Sequence, residues 1–180
     1  MTIRTALLFL SILTVACGDN RLGDAFFENT ADTLTVSSIV GTPVSASSAY
    51  SVSEDRLVRT DLTTNFDFVY LFDGGRHLLL PLDVVGLGAR SSNPGLQLST
   101  AAFDAIVNPP SGGYITDDSV AVAVGNIVIA RSRITCTLSV PQYGKMEILG
   151  FDDVARTMTF RVVANTNCGF RELGPGFPAR

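Results

Sequence analysis

Tryptophan is absent from the 180-residue chain, and histidine and lysine occur once each, as His77 and Lys145. Without Trp there is no indole platform on which a sugar could stack. With one histidine, any Ser–His–Asp site would have to use His77, and no G-x-S-x-G precedes a helix. Three cysteines with no C-x-x-C argue against a zinc centre. The formal net charge of -4 argues against nucleic acid as a partner, and against docking on anionic headgroups through a basic patch. Past the N-terminus the apolar runs are short and broken by Gly, Pro and charge, so no further membrane span is expected. Asp117-Asp118 and Asp152-Asp153 are paired carboxylates, but neither sits in the D-x-D-x-D-G spacing of a calcium loop. Adjacent aspartates are an ordinary turn signal.

What is present begins at the N-terminus, MTIRTALLFLSILTVAC. Arg4 supplies a positive start, and Ala6 to Val15 is an apolar run of about ten residues, the length of a secretory signal and too short for a span. Thr14-Val15-Ala16-Cys17 resembles the lipobox of bacterial lipoproteins, with Thr14 in place of the usual leucine. The resemblance implies cleavage before Cys17 and its lipidation. The organisation expected is a signal peptide over 1–16, a small polar tether over 17–23 and a β-rich domain over 24–180. Gly18 after the cysteine favours the outer membrane under the usual enterobacterial sorting rule. In an oxidising compartment the remaining cysteines, Cys136 and Cys168, are expected to pair, the alternative being two separate buried thiols.

Along the domain, strand patterns dominate. Thr33 to Val40 alternates, with Leu34, Val36 and Val40 on one side. Tyr50 to Val52 and Arg56 to Thr60 flank a hairpin turn at Ser53-Glu54-Asp55. In Asn65 to Phe72 the residues Phe66, Phe68, Tyr70 and Phe72 share one face, with Val69 and Leu71 opposite. A strand apolar on both faces is expected to be central. Asp73-Gly74-Gly75 turns the chain into His77 to Leu82. The stretch 86–95 is a loop by composition, and Thr100 to Val107, stopped by Asn108-Pro109-Pro110, is the best helix candidate. Val120 to Val124, Ile127 to Cys136, Tyr143 to Phe151 and Thr157 to Val163 complete the strands. Gly125-Asn126 is read as the turn between the first two of these.

The last hairpin permits a register. Met146, Ile148, Met158, Phe160 and Val162 belong on the core face, which requires an odd-numbered loop unless a bulge intervenes. A five-residue loop, Asp152 to Arg156, places Glu147 opposite Arg161; a three-residue loop places Lys145 there instead. Opposite charges favour the longer loop.

Among ligand candidates, His77 begins an apolar strand after a Gly-Gly turn and reads as a strand-end histidine, with a ligand role as the alternative. Arg131 and Arg133 lie two apart on one strand face and could grip a carboxylate or phosphate, although a solvated strand face gives the same pattern. The Phe66–Phe72 stripe could line an apolar pocket or form the core.

The segments FDAIVNPPSGGY, GNIVIARSR, YGKMEILGFD and TMTFRVV, with NFDFVYLF upstream, resemble the HmuY-type haem-carrier lipoproteins. That resemblance implies a lipid-anchored all-β protein and raises haem as a cofactor. A bis-histidine haem site is impossible with His77 alone, and Met146 and Met158 read as core. The expectation is therefore an antiparallel β-sandwich-like single domain with one short helix. Its expected role is a non-catalytic binding or interaction module of the bacterial envelope, with an envelope protein or small apolar ligand as partner. The alternatives are a haem or apolar-ligand carrier and an envelope hydrolase.

Overall fold

The computed structural model describes residues 23–88 and 94–179. The expected signal peptide and Cys17 lie outside them, as does the middle of the expected 86–95 loop. Ten strands form two five-stranded antiparallel sheets. The first sheet holds β1 (Asp32–Ser37), β10 (Thr157–Asn165), β9 (Tyr143–Asp152), β8 (Ile127–Arg131) and β6 (Gly95–Ser99), in that order. The second holds β3 (Arg56–Val58), β2 (Ala49–Ser51), β4 (Phe68–Asp73), β5 (Arg76–Pro81) and β7 (Val120–Ala121).

The sheets face each other across one core. From the second sheet come Tyr50, Phe68, Tyr70 and Leu79; from the first come Val128, Ala130, Met146, Ile148, Met158, Phe160 and Val162. The alternation of β8, β9 and β10 thus sends the expected side chains inward, and the result is the sandwich-like all-β fold. As expected, β4 is central in its sheet and buried on both faces. Val69 looks outward into a smaller cluster with Ala49, Val58 and Leu82. Phe66 joins that outer cluster rather than the core stripe, because β4 starts two residues later. Val40 likewise falls past the end of β1 and is exposed.

Three further expectations are corrected. Thr100 to Val107 is not an α-helix: only Phe103–Ala105 forms a 3₁₀ turn, with no side-chain cap. Two turns without a side-chain cap are too short to hold an α-helix on local bonds alone. Gly125-Asn126 does turn the chain, but β7 pairs with β5 and β8 with β6 and β9, so this corner carries the chain between sheets instead of closing a hairpin. Strand β8 stops at Arg131, short of the expected Cys136.

The β9–β10 hairpin pairs Glu147 with Arg161, as the charges require, by another route. The loop has four residues, 153–156, between the paired Asp152 and Thr157. A bulge then skips Leu149, since Thr159 faces Gly150 and Phe160 faces Ile148. The even loop and the extra residue together restore the parity that an odd loop would have supplied. Arg156 closes the turn at φ 55, a left-handed conformation that only strong local contacts hold in a non-glycine residue. Its guanidinium donates to the carbonyls of Val40 (2.9 Å) and Phe72. Gly41 is obligatory beneath it: φ is 79, and a Cβ there would lie 2.6 Å from Arg156 Nε.

Candidate functional site

The sole histidine sits at the turn end of this hairpin, in a nest of rings. His77 stacks on Phe151 with centroids 3.5 Å apart and on Phe72 at 4.8 Å. Its Nδ1 is 2.7 Å from the Tyr70 hydroxyl and its Nε2 is 3.4 Å from Asp153 Oδ1. Tyr–His–Asp in a chain has the outline of a nucleophile relay, but the chemistry is wrong for one. A nucleophile needs its proton removed easily, at an accessible oxygen. The Tyr70 hydroxyl is instead pushed up to about 12, by burial first and by the Asp153 charge second, and Tyr70 is wholly buried. Tyr70, Phe72 and His77 are brought together because β4 and β5 form a tight hairpin about Gly74-Gly75 that pairs Phe72 with His77. The paired aspartates beside it are turn residues: Asp152 Oδ1 accepts the Val154 and Ala155 N–H groups at 3.0 and 2.8 Å.

Arg131 and Arg133 go to different partners and form no joint clamp. Arg131 lies over the Tyr114 ring, 4.9 Å from its centroid. Arg133, past the end of β8, reaches to the opposite sheet. Its backbone N–H and Nε donate to Asp67 Oδ1 at 2.8 and 3.1 Å, while Val52 N–H donates to Oδ2 at 2.7 Å. Asp67 is 2% exposed. Burial raises its pKa above the ordinary carboxylate value, and the Arg133 contacts pull the other way. The pair is a staple between the sheets.

The outer face of the first sheet, which strand alternation assigns to solvent, is covered. Phe103, Ile106 and Leu173 fold over Ile127, Ile129, Tyr143 and Val163. Lys145, the one lysine, is trapped beneath them, 3% exposed, with Nζ donating to the Ile106 carbonyl at 2.8 Å and lying 4.7 Å from the Phe103 centroid. Burial lowers its pKa. Arg161 also stacks on the Phe103 ring, at 3.9 Å, holds Glu147 at 2.9 Å and approaches Asp104 at 3.6 Å. An open crevice of about 680 Å³ runs past these groups. Its cation already faces two carboxylates, so it offers no free positive charge to an anionic ligand.

At the opposite end of β10 the chain is irregular, and here Cys136 and Cys168 form the expected disulfide, with Cα atoms 5.6 Å apart. Side-chain amides do the remaining work. Asn167 Oδ1 accepts the N–H groups of Phe26 and Phe27 at 2.7 and 2.9 Å, and its Nδ2 donates to the Phe27 carbonyl at 2.9 Å. Asn165 and Asn29 each donate to the Glu172 carbonyl at 2.8 Å, and Asn29 pairs with Gly176 as an isolated bridge. The sequence reading missed Asp67, Lys145 and these asparagines. The Asn-Thr-Asn-Cys run at 165–168 carries a local signal for the amides alone.

Among the described residues no group of three or more His, Cys, Asp or Glu could hold a metal ion, and no helix is long and apolar enough to cross a membrane. No family model, curated protein or solved structure matches the chain.

Proposed function

We propose that the protein is a bacterial envelope lipoprotein, anchored through Cys17 in the outer membrane, whose β-sandwich is a non-catalytic binding or interaction module. The observation that carries the non-catalytic part is the commitment of its chemistry. His77 spends both ring nitrogens inside an aromatic nest, Arg133 is spent on Asp67, and Lys145 is sealed under Phe103 and Ile106. None of them faces an open recess with a complementary acid, base or nucleophile, which is what a hydrolase would require. The lipobox-like Cys17, the resemblance to HmuY-type lipoproteins and a disulfide suited to an oxidising compartment support the anchored, exported reading.

Haem is not part of this reading. Met146 and Met158 are wholly buried in the core, and an axial bond to His77 would break its stack on Phe151. A haemin titration of the purified chain, followed by its Soret band, is expected to stay flat; a saturable one-to-one shift would restore the carrier alternative. The anchor is tested by mass spectrometry of the N-terminal peptide. Acylated Cys17 is expected in the membrane fraction, and Cys17→Ser is expected to abolish the modification. An unmodified mature N-terminus in the wild-type chain would refute lipidation.

A further inference from the structure

Exposed aliphatic side chains are scattered over the sandwich, but exposed phenylalanine is not. Phe66, Phe68 and Phe160 are wholly or almost wholly buried, whereas Phe26, Phe27 and Phe177 are 85%, 59% and 62% exposed. These three gather at one end. Phe177 lines a recess of about 450 Å³ together with Asp24 and Ala25, and the Asn29–Gly176 bridge ties the two segments together. The Phe26 and Phe27 rings, 5.7 Å apart, do not hang on a loose strand: Asn167 grips the backbone of both residues. Across the disulfide, Leu138 and Val140 add further exposed apolar surface. A cluster of large apolar side chains on a rigid base, where the fold could have buried them, marks an interaction surface.

We infer that this end docks flat on the lipid bilayer, with Phe26, Phe27 and Phe177 inserted at the headgroup–acyl boundary. The inference rests on lipidation of Cys17, and chain length then selects the occupant. Phe26 is nine residues beyond Cys17, so full extension holds the patch within about 30 Å of the acyl chains. The opposite pole, at Val154 in the β9–β10 turn, is a further strand length away, because the amide cluster follows the last residue of β10 and the turn precedes the first. The chemistry also favours an apolar wedge. Insertion of rings into a zwitterionic interface supplies the affinity without a basic patch.

The absence of tryptophan makes the test direct. Phe26→Trp, Phe177→Trp and Val154→Trp each place one indole on the mature chain beginning at Cys17, purified from membranes and reconstituted into phosphatidylcholine vesicles carrying brominated acyl chains. Two probe positions guard against a variant that fails to fold. The inference expects the chain to float with the vesicles, with blue-shifted emission and several-fold stronger lipid quenching at positions 26 and 177 than at 154. Flotation with all three indoles quenched equally by aqueous iodide would overturn it while leaving the anchor intact, since the domain would then hang free on its tether. Blue-shifted emission at 26 without bromine quenching would also overturn it, in favour of a protein partner. A chain that does not float would remove the anchor and the docking together.

Discussion

At its turn end the β9–β10 hairpin is closed by rings and one arginine; at its open end it is closed by amides and a disulfide. Around the turn the backbone returns on itself within four residues. Asp152 caps the loop N–H groups, Arg156 covers two carbonyls and the Phe72 ring, and His77 stacks on Phe151. The open end faces a harder problem. Segments 24–29 and 166–179 are distant in sequence and joined by a single isolated bridge, so most of their backbone groups have no strand partner. Asn29, Asn165 and Asn167 take the place of a strand, and Cys136–Cys168 fixes the positions they act from. The contrast shows that stability at the turn is local, whereas stability at the open end depends on a few side chains that each hold several backbone groups.

This contrast can be broken experimentally. The largest effect is expected at the open end of β8. Arg133→Met strands the Asp67 carboxylate in the core and should lower unfolding free energy by roughly 3–5 kcal/mol at neutral pH, read by urea denaturation. The Asp67 pKa is already raised by burial, so the folded state holds its proton more tightly than the unfolded one. The penalty for the charged form therefore applies above the folded pKa and fades as pH falls through it, so the variant should recover part of its loss in acid.

Removing both cysteines as Cys136→Ser/Cys168→Ser frees a loop closed over a sequence separation of 32. The same denaturation is expected to show a loss of roughly 3–4 kcal/mol on the chain-entropy relation. Asn167→Ala and His77→Phe then compare the two ends directly. The first removes the partner of three partly buried backbone groups and should lose about 1–3 kcal/mol, with faster hydrogen exchange at Phe26 and Phe27. The second keeps a ring in the stack, loses the Tyr70 partner and the exposed Asp153 contact, and should lose about 1 kcal/mol with no change in exchange at the far end. A larger loss from His77→Phe than from Asn167→Ala would reverse the comparison.

The smallest effect is expected at Lys145→Met, which exchanges a desolvated charge for an apolar chain of similar length and should leave stability at neutral pH nearly unchanged or slightly higher. The lowered Lys145 pKa means that the folded chain binds fewer protons than the unfolded one between its folded pKa and the unfolded value of about 10.4. Wild-type stability should therefore rise with pH through that window, and the rise should be missing in the variant.

Much of the scaffold is legible from periodicity. The alternation in β9 and β10 is strong because one face of each meets the shared core, and the doubly apolar run of β4 marks a strand covered on both sides. Charge opposition alone identifies Glu147–Arg161, even though the loop that delivers it is one residue shorter than expected. What escapes the sequence is whatever depends on a second segment arriving from far away. Strand β6, Gly95–Ser99, opens on glycine at the end of a stretch whose composition marks a loop, and its two leucines are too few to show a period. Lys145 occupies an outward position in β9, and nothing local shows that Phe103 and Ile106 will fold over it. Phe103 and Ile106 lie at helical spacing, yet that spacing serves a cover over the sheet instead of an α-helix. Asp67 and Arg133 are 66 residues apart, and each looks like an ordinary surface charge until the sheets close. The candidate ligand residues were visible as residue types, but their commitment to neighbours was not.

The burial of Lys145 also hides the only side-chain amine of the folded chain from amine chemistry. An acylated N-terminus would present no free amine, and the one lysine lies beneath a phenylalanine ring and an isoleucine carbonyl. Amine-directed crosslinkers and labels would then modify this protein only when the cover over β9 lifts. The rate at which a lysine reagent consumes the chain becomes a clock for that opening, built into the sequence by having a single place to strike.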